Sequence, residues 1–570
     1  MANLNIDAQK SLTYDAIVIG SGISGGWAAK ELCEKGLKTL VLERGRDVKH
    51  IEDYPGANKH PWEFKFGGRL PLEEQRKYGA RGPRMHESSA HFFMEEGEQE
   101  TVEEKPFRWT RGYQVGGKSL LWARQTQRWS DFDFEGPARD GFAVDWPIRY
   151  KDIAPWYSHV ERFAGISGNR DGIPQLPDGE FLKPIALSCV EKHFQKTLAE
   201  NYNDRQLIQG RCAHITEMQE IHRQQSRNQC MHRSLCSRGC PLGGYFSSNA
   251  ATLPWAAQTG NMTLRPHAVV HSIIYDESKS KATGVRVIDS ETREVHEYFA
   301  KIIFVNASAL NSNLILLNST SSRFPNGLGN DNGLLGKYIT WHNYRGRISG
   351  RCEEFTDMMS KGKNPSHSYI PRFRNVHRQE TGFLRGYAVG FGGSGRAARY
   401  SREGIGATLK ANLLDRQLGP WGVSAWMMGE VVPIESNHVR LHPELKDKYG
   451  IPQLVLSCEW TENDDKMVED YIVQLSEMFD KAGFKNISAS DSHAPPGSDI
   501  HEMGGVRMGN DPKTSLLNKW NQLHACDNVF VTDGAFMTSS GTQNPSLTYM
   551  AVTARAADHA VEELKKGNLG

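Results

Sequence analysis

Tyr14-Asp-Ala-Ile-Val-Ile-Gly20-Ser-Gly22-Ile-Ser-Gly25-Gly-Trp-Ala-Ala-Lys-Glu-Leu-Cys-Glu-Lys-Gly36-Leu-Lys-Thr-Leu-Val-Leu-Glu43 is the stretch on which the fold turns. The run up to Ile19 is short and continuously apolar, as in a strand buried on both faces of a parallel sheet. A helical pattern follows from Gly26 to about Lys35, Gly36 closes it, and Thr39–Leu42 begins a second strand ending at Glu43. Each glycine has a separate reason. Gly20 permits the tight turn, Gly22 lets a pyrophosphate approach the backbone, and Gly25 lets helix and strand pack together. The uncapped N–H groups of the helix then face the phosphates. Glu43, at the tip of the second strand, is placed for a ribose hydroxyl, and Arg44 follows it. Strand, glycine turn, helix, strand and terminal acid together predict a dinucleotide site, without separating NAD from FAD.

The far end of the chain carries the chemistry. His501-Glu-Met-Gly-Gly-Val-Arg-Met-Gly509 and Asp533-Gly534-Ala-Phe-Met-Thr-Ser-Ser-Gly-Thr-Gln-Asn544-Pro545-Ser-Leu-Thr548 are both glycine-rich. Oxidising an alcohol needs a group that accepts the hydroxyl proton and a group that holds the oxygen. A neutral imidazole does the first near pH 7. An asparagine amide, which cannot titrate, does the second. His501 and Asn544 are the candidate catalytic pair, whereas Asp533, Gly534, Pro545 and Thr548 read as cofactor contacts. Among the 21 histidines, His493 and His524 carry no such signal.

Taken with the N-terminal fingerprint, these segments resemble the glucose–methanol–choline (GMC) family of FAD oxidoreductases. Arg111-Gly-Tyr-Gln-Val-Gly116-Gly117-Lys-Ser119-Leu-Leu-Trp122 is similar to the family segment that lies along the flavin. Asp145-Trp-Pro-Ile-Arg-Tyr150, with Asp152–Tyr157 after it, matches a further landmark. Ala268-Val-Val270-His-Ser-Ile273 matches the strand that meets the adenine side. The resemblance implies an FAD held by Gly20, Gly22, Gly25, Glu43, Arg44, Gly116, Gly117, Ser119, Trp122, Val270, Asp533, Gly534, Pro545 and Thr548. It implies hydride transfer to the flavin, with His501 as base and Asn544 as its neighbour. Some members attach the flavin through a histidine where this chain has Leu120 and Leu121, so non-covalent FAD is expected. Val506 departs from the usual family pattern, and Ile302–Ala307 is a looser form of the closing strand and turn.

Cys230, Cys236 and Cys240 crowd into eleven residues of a chain with nine cysteines. Cys-x3-Cys-Pro echoes the end of a ferredoxin-type run, and three thiolates suit a three-iron cluster. The spacing resembles that of iron–sulfur-containing glucose and glucoside dehydrogenases, which implies a [3Fe–4S] cluster passing electrons singly to an external acceptor. The rival readings are a Cys₃His zinc site with His232, tighter than the usual zinc spacing, and thiols without metal. Cys212 lies outside the spacing and reads as a free thiol.

The resemblance favours a sugar substrate oxidised at a secondary hydroxyl, with C3 of a glucoside preferred and gluconate, sorbitol or C1 of glucose left open. An oxygen-using sugar oxidase and a flavin-bearing relay subunit are the other readings. A small subunit bearing the export signal and a cytochrome-type acceptor are the implied partners, with a periplasmic location, or else a cytoplasmic one. Net charge is +1 at 24% charged residues, so nothing points to nucleic acid. No apolar run approaches the ~18 residues of a membrane helix, and Met1–Ser11 is polar, without a signal-peptide core.

The expected architecture is α/β and α+β, a Rossmann-like FAD domain interleaved with a substrate domain built on an antiparallel sheet with helices. The FAD domain is expected over residues 10–335, with an excursion at 51–104 that covers the cofactor, meets a partner or is a solvated loop, and a helical and cysteine segment at 131–249. Residues 336–499 are expected to form the substrate domain, with strands at Val423–Pro433 and Val439–Leu441 and a helix from Asp464 to Ala482. Residues 500–570 return to the FAD domain.

Overall fold

The computed structural model describes residues 12–78, 86–358, 367–394, 398–399, 404–414 and 417–569; the polar Met1–Ser11 stretch lies outside them. Thr13–Ile19 forms the centre of a sheet, with Ala16, Ile17 and Val18 wholly buried. Parallel partners flank it: Thr39–Leu42 and then Met262–Arg265 on one side, Val295–Val305 and then Cys526–Val531 on the other. Ile17 sits opposite both Leu40 and Ile303. Parallel strands have both faces covered, which is why these segments are apolar without alternation. The strands Ala268–Asp276 and Lys281–Asp289 extend this sheet as an antiparallel meander onto Val295–Val305.

The fingerprint adopts the turn its glycines require. The Ile23–Glu34 helix begins at Gly22 with no side-chain cap. Gly20 has φ +97°, and a Cβ built at Gly25 would lie 1.9 Å from the Gly20 carbonyl oxygen. That helix packs against the C-terminal helix Ser546–Lys565, so the two ends of the chain close one layer.

A second, antiparallel sheet runs in the order Ser368–Ile370, Tyr387–Ser394, Trp421–Glu430, Gly346–Cys352, Lys485–Asp491. The helix Glu462–Lys481 covers it. Thr461 and Asp464 cap the helix start reciprocally. Met467, Val468, Tyr471, Leu475, Met478 and Phe479 are buried at helical spacing, each worth about 1.5–3 kcal/mol of burial. The helix Cys189–Asn201 contributes Val190, Phe194 and Leu198 to the same core. Glu430 accepts from Arg372 and from Arg385 Nε at 2.8 Å, and Arg385 Nη1 reaches Asp140 at 2.7 Å. This buried network ties the sheet to the 131–140 segment.

One expected boundary needs correcting. Residues 438–457, placed within the substrate domain from the sequence, form a small sheet with Thr101–Glu103 instead. Val439, Leu454 and Leu456 share a core with Val269, Leu310 and Ile339. The hairpin thus lies outside the antiparallel sheet and packs between residues of both expected domains, Trp341 and Val431 among them. Among the described residues no helix is long and apolar enough to cross a membrane.

Candidate active site

A cavity of about 410 Å³ opens at the carboxyl ends of the strands Thr13–Ile19 and Thr39–Leu42. Three helix starts border it: Gly22–Ser24, Ser308–Ala309 and Pro545–Ser546. The positive ends of these helices favour negative charge in the space between them.

Gly20, Gly22, Glu43, Arg44, Gly117, Ser119, Trp122, Val270, Asp533, Gly534 and Pro545 all line this cavity. A Cβ at Gly22 would meet nothing within 4 Å, whereas one at Gly117 would approach Gly22 Cα at 3.4 Å. The Gly22 backbone therefore faces open space, as close approach of a phosphate requires. Glu43 is buried; its Oε2 accepts from Ser21 Oγ at 2.5 Å and its Oε1 from the Gly45 N–H at 3.0 Å. Burial pushes its pKa above the usual carboxylate value despite those bonds. Arg44 lies over the rings of Tyr113 and Tyr449. Asp533 caps the short Gly534–Phe536 turn, and burial raises its carboxyl to about 6. Buried polar atoms on the wall have no protein partner, among them Glu502 Oε1 and Tyr549 OH. Glycine backbone, helix starts and unpaired polar atoms fit a dinucleotide such as FAD.

Gly25 and Gly116 act behind the wall. Gly116 has φ +88°, its N–H donates to Ser21 Oγ at 2.9 Å, and a Cβ there would lie 1.6 Å from Asn249 Oδ1. Thr548 departs from expectation. It is fully buried, and its hydroxyl meets Tyr157 OH at 2.8 Å rather than the cavity. Helix geometry explains this, because Pro545, Ser546 and Tyr549 share the cavity-facing side and Thr548 lies about 100° away.

His501 and Asn544 meet on the cavity wall, with His501 Nε2 and Asn544 Nδ2 3.5 Å apart. Burial, and then the neighbouring His342, depress the His501 pKa to about 3, so the imidazole enters the reaction uncharged throughout the neutral range. Behind it lies a pair the sequence did not reveal. His342 Nδ1 is 3.0 Å from His501 Nδ1, and Asp499 Oδ2 lies 3.6 Å from both Nδ1 atoms. Asp499 also accepts the His342 backbone N–H at 2.8 Å. Burial alone would raise the Asp499 carboxyl; the His342 hydrogen bonds and the two imidazoles outweigh it and hold the pKa low. Lys118 and Glu502 form an ion pair at 3.1 Å beside this group. The spacing Asp499-Ile-His501 was the one available signal; His342 carried none.

The three cysteines lie together in one partly buried nook. The histidine that reaches a thiol is His214, buried, with Nε2 4.0 Å from Cys236 Sγ. Around the thiols stand buried donors without partners: Arg124 Nε and Nη1, Arg227 Nη2 and His214 Nδ1. Uncompensated buried cations are costly, and Arg227 is pulled down to about 9 by its burial. An anionic group between them would remove that cost, and thiolate-bound iron and sulfide is such a group. Arg124 also borders the large cavity and lies over Tyr245, whose hydroxyl donates to Leu120 O at 2.6 Å. Cys212, expected as a free thiol, is buried beside Ser167 Oγ at 3.2 Å. The 51–104 excursion packs on this nook: Arg233 reaches Ala57 O, and Arg238 reaches Lys59 O at 2.9 Å. Phe93, from the same excursion, lines the cavity.

Family models described as GMC oxidoreductase match residues 89–342 and 433–553. A 2-methyl-1,2-propanediol dehydrogenase of Mycolicibacterium austroafricanum is 30% identical, over 96% of this chain and 94% of its own. The fructose dehydrogenase large subunit of Gluconobacter japonicus is 25% identical, over 98% of this chain and 100% of its own. The crystal structure of pyridoxine 4-oxidase from Mesorbium loti superposes with a TM-score of 0.58 at 16% identity, covering 96% of this chain and 98% of that one. At that identity the likeness concerns the fold.

Proposed function

Because this chain belongs to the GMC family of FAD oxidoreductases, which act on CH–OH donors, we propose that it is a dehydrogenase of a secondary hydroxyl on a sugar or related polyol. The observation that carries this reading is the pairing of His501 Nε2 with Asn544 Nδ2 on the wall of the dinucleotide cavity. The glycine turns and helix starts would hold FAD non-covalently, and it would supply acceptance of the hydride. His501 takes the hydroxyl proton at Nε2. Asn544 donates its amide N–H to the substrate oxygen as charge builds there. Asp499 behind the base favours the imidazolium, against the burial that disfavours it.

We assign C3 of a glucoside as the preferred site of oxidation, on the likeness of the cysteine segment to glucoside dehydrogenases. The relatives named for a 1,2-diol and for fructose support a vicinal hydroxyl in the substrate. Cys230, Cys236 and Cys240 would hold a [3Fe–4S] cluster, which supplies one-electron transfer to an external acceptor. The unpaired Arg124, Arg227 and His214 donors around them support this reading over bare thiols. A relative named as a large subunit supports a partner subunit here; co-export with such a partner to the periplasm is part of the proposal.

Purified protein is expected to contain flavin, iron and labile sulfide together. Cys240→Ser should lose iron and sulfide, keep flavin and its reduction by substrate, and stop passing electrons to a one-electron acceptor. Wild-type protein with flavin but no iron would remove the cluster, and peroxide matching turnover would establish an oxidase in its place.

A further inference from the structure

The hydrogen bonds behind His501 determine which of its nitrogens carries the proton. His342 Nε2 lies 3.2 Å from the Ser540 carbonyl oxygen, which can only accept. His342 Nε2 therefore carries hydrogen, and in the neutral ring its Nδ1 is a lone-pair acceptor. That Nδ1 is 3.0 Å from His501 Nδ1, so His501 Nδ1 must be the donor. His501 Nε2 is left with a bare lone pair, and it faces Asn544 Nδ2, a group that only donates. With His342 neutral every link has one consistent assignment, and it leaves the base ready on the cavity side.

We propose that His342, backed by Asp499, is a positioning residue that fixes the tautomer of His501 and takes over the proton it removes from substrate. This rests on the alcohol-oxidation reading above. The substrate O–H proton goes to His501 Nε2, while the bound cofactor would supply acceptance of the hydride. The Nδ1 proton of His501 passes to His342 Nδ1. His501 is then neutral with its proton on Nε2, and His342 is an imidazolium with Asp499 Oδ2 3.6 Å from its Nδ1. Side chains of His342 and Asp499 are 0% and 1% exposed, so the charge is stored out of water beside a carboxylate held ionised. Release of the Nε2 proton after product leaves, with return of the shared proton to His501, resets the pair.

Two substitutions separate this role from simple packing. His342→Leu removes the acceptor, whereas His342→Asn places an amide oxygen near the position of Nδ1. Anaerobic flavin reduction in the Leu variant should slow by about 10²-fold or more, with flavin content and KM near wild type. The Asn variant, which restores the tautomer but not the relay, should recover at least about tenfold of that loss. Equal losses in both variants, or no loss in either, would overturn the proposal. The tautomer is also read without substrate, from imidazole ¹⁵N shifts assigned by comparison with His501→Asn. Wild type should show hydrogen on Nδ1 and a bare Nε2, and the Leu variant a mixture. The opposite wild-type tautomer would sink the proposal even if sugar oxidation stands. Failure of every sugar and polyol to reduce the flavin, with the expected tautomer present, would instead remove the functional reading. The same three atoms also lie within 4.8 Å of one another, close enough for a divalent cation. Activity should survive a chelator, and its loss on chelation with rescue by metal would replace the relay with a metal site.

Discussion

Replacing His501 with alanine leaves FAD bound and slows its reduction by substrate by about 10²–10⁴-fold. The imidazole borders the cavity but takes no part in holding the glycine turns or the helix starts that fit the dinucleotide. Truncating it therefore removes the proton acceptor and spares the cofactor. The residual rate comes from Asn544 and from orientation, neither of which supplies a base. Stopped-flow absorbance at the flavin band, with bound flavin measured in parallel, checks both halves. A variant that turns over at the wild-type rate would end the assignment of His501 as base. Loss of flavin along with activity would place His501 in cofactor binding.

Gly25→Ala should yield protein that is either unfolded or free of flavin, with a stability loss of about 3 kcal/mol or more. A methyl group at Gly25 would lie 1.9 Å from the Gly20 carbonyl oxygen, and that oxygen is backbone. Gly20 has little room to yield, because it is at φ +97° and even a Cβ built there would lie 2.3 Å from the Asn306 carbonyl oxygen. Relief requires moving the Ile23–Glu34 helix, which packs on the C-terminal helix behind Asn544. Thermal unfolding and bound-flavin content measure the effect. Gly36→Ala provides the comparison. Unlike Gly25 it has positive φ, but nothing lies within 4 Å of the added Cβ, so it should lose only the strain of its backbone and keep flavin.

What could be read in advance follows from what each feature requires locally. The dinucleotide turn was legible because close approach of neighbouring atoms admits only glycine at particular spacings: backbone crowds Gly20 and Gly25 in the structure, and the Asn249 side chain crowds Gly116. His501 and Asn544 were legible because two short glycine-rich segments carry them to the same wall. His342 was not. It lies 159 residues from His501, and the backbone pairing of Thr340 with Met503 brings the two together. No local pattern distinguishes such a histidine from a satisfied core residue. A motif read along the chain does not say which face of the helix each residue occupies, and the Thr548 hydroxyl turns to Tyr157. The 438–457 hairpin was misassigned for a related reason: its partner strand, Thr101–Glu103, is more than 300 residues away and too short to announce itself. Arg124 and Arg227 gave no signal until their unpaired nitrogens were seen around the cysteines.

An anaerobic absorption spectrum of the purified protein, before and after addition of a simple alkyl glucoside, tests the central claim most directly. The account predicts flavin bands over a broad iron–sulfur background, with the flavin bands bleaching on addition and a 3-keto product formed. Protein that retains its flavin, yet stays oxidised with the glucoside and with every other sugar and polyol supplied, would contradict it.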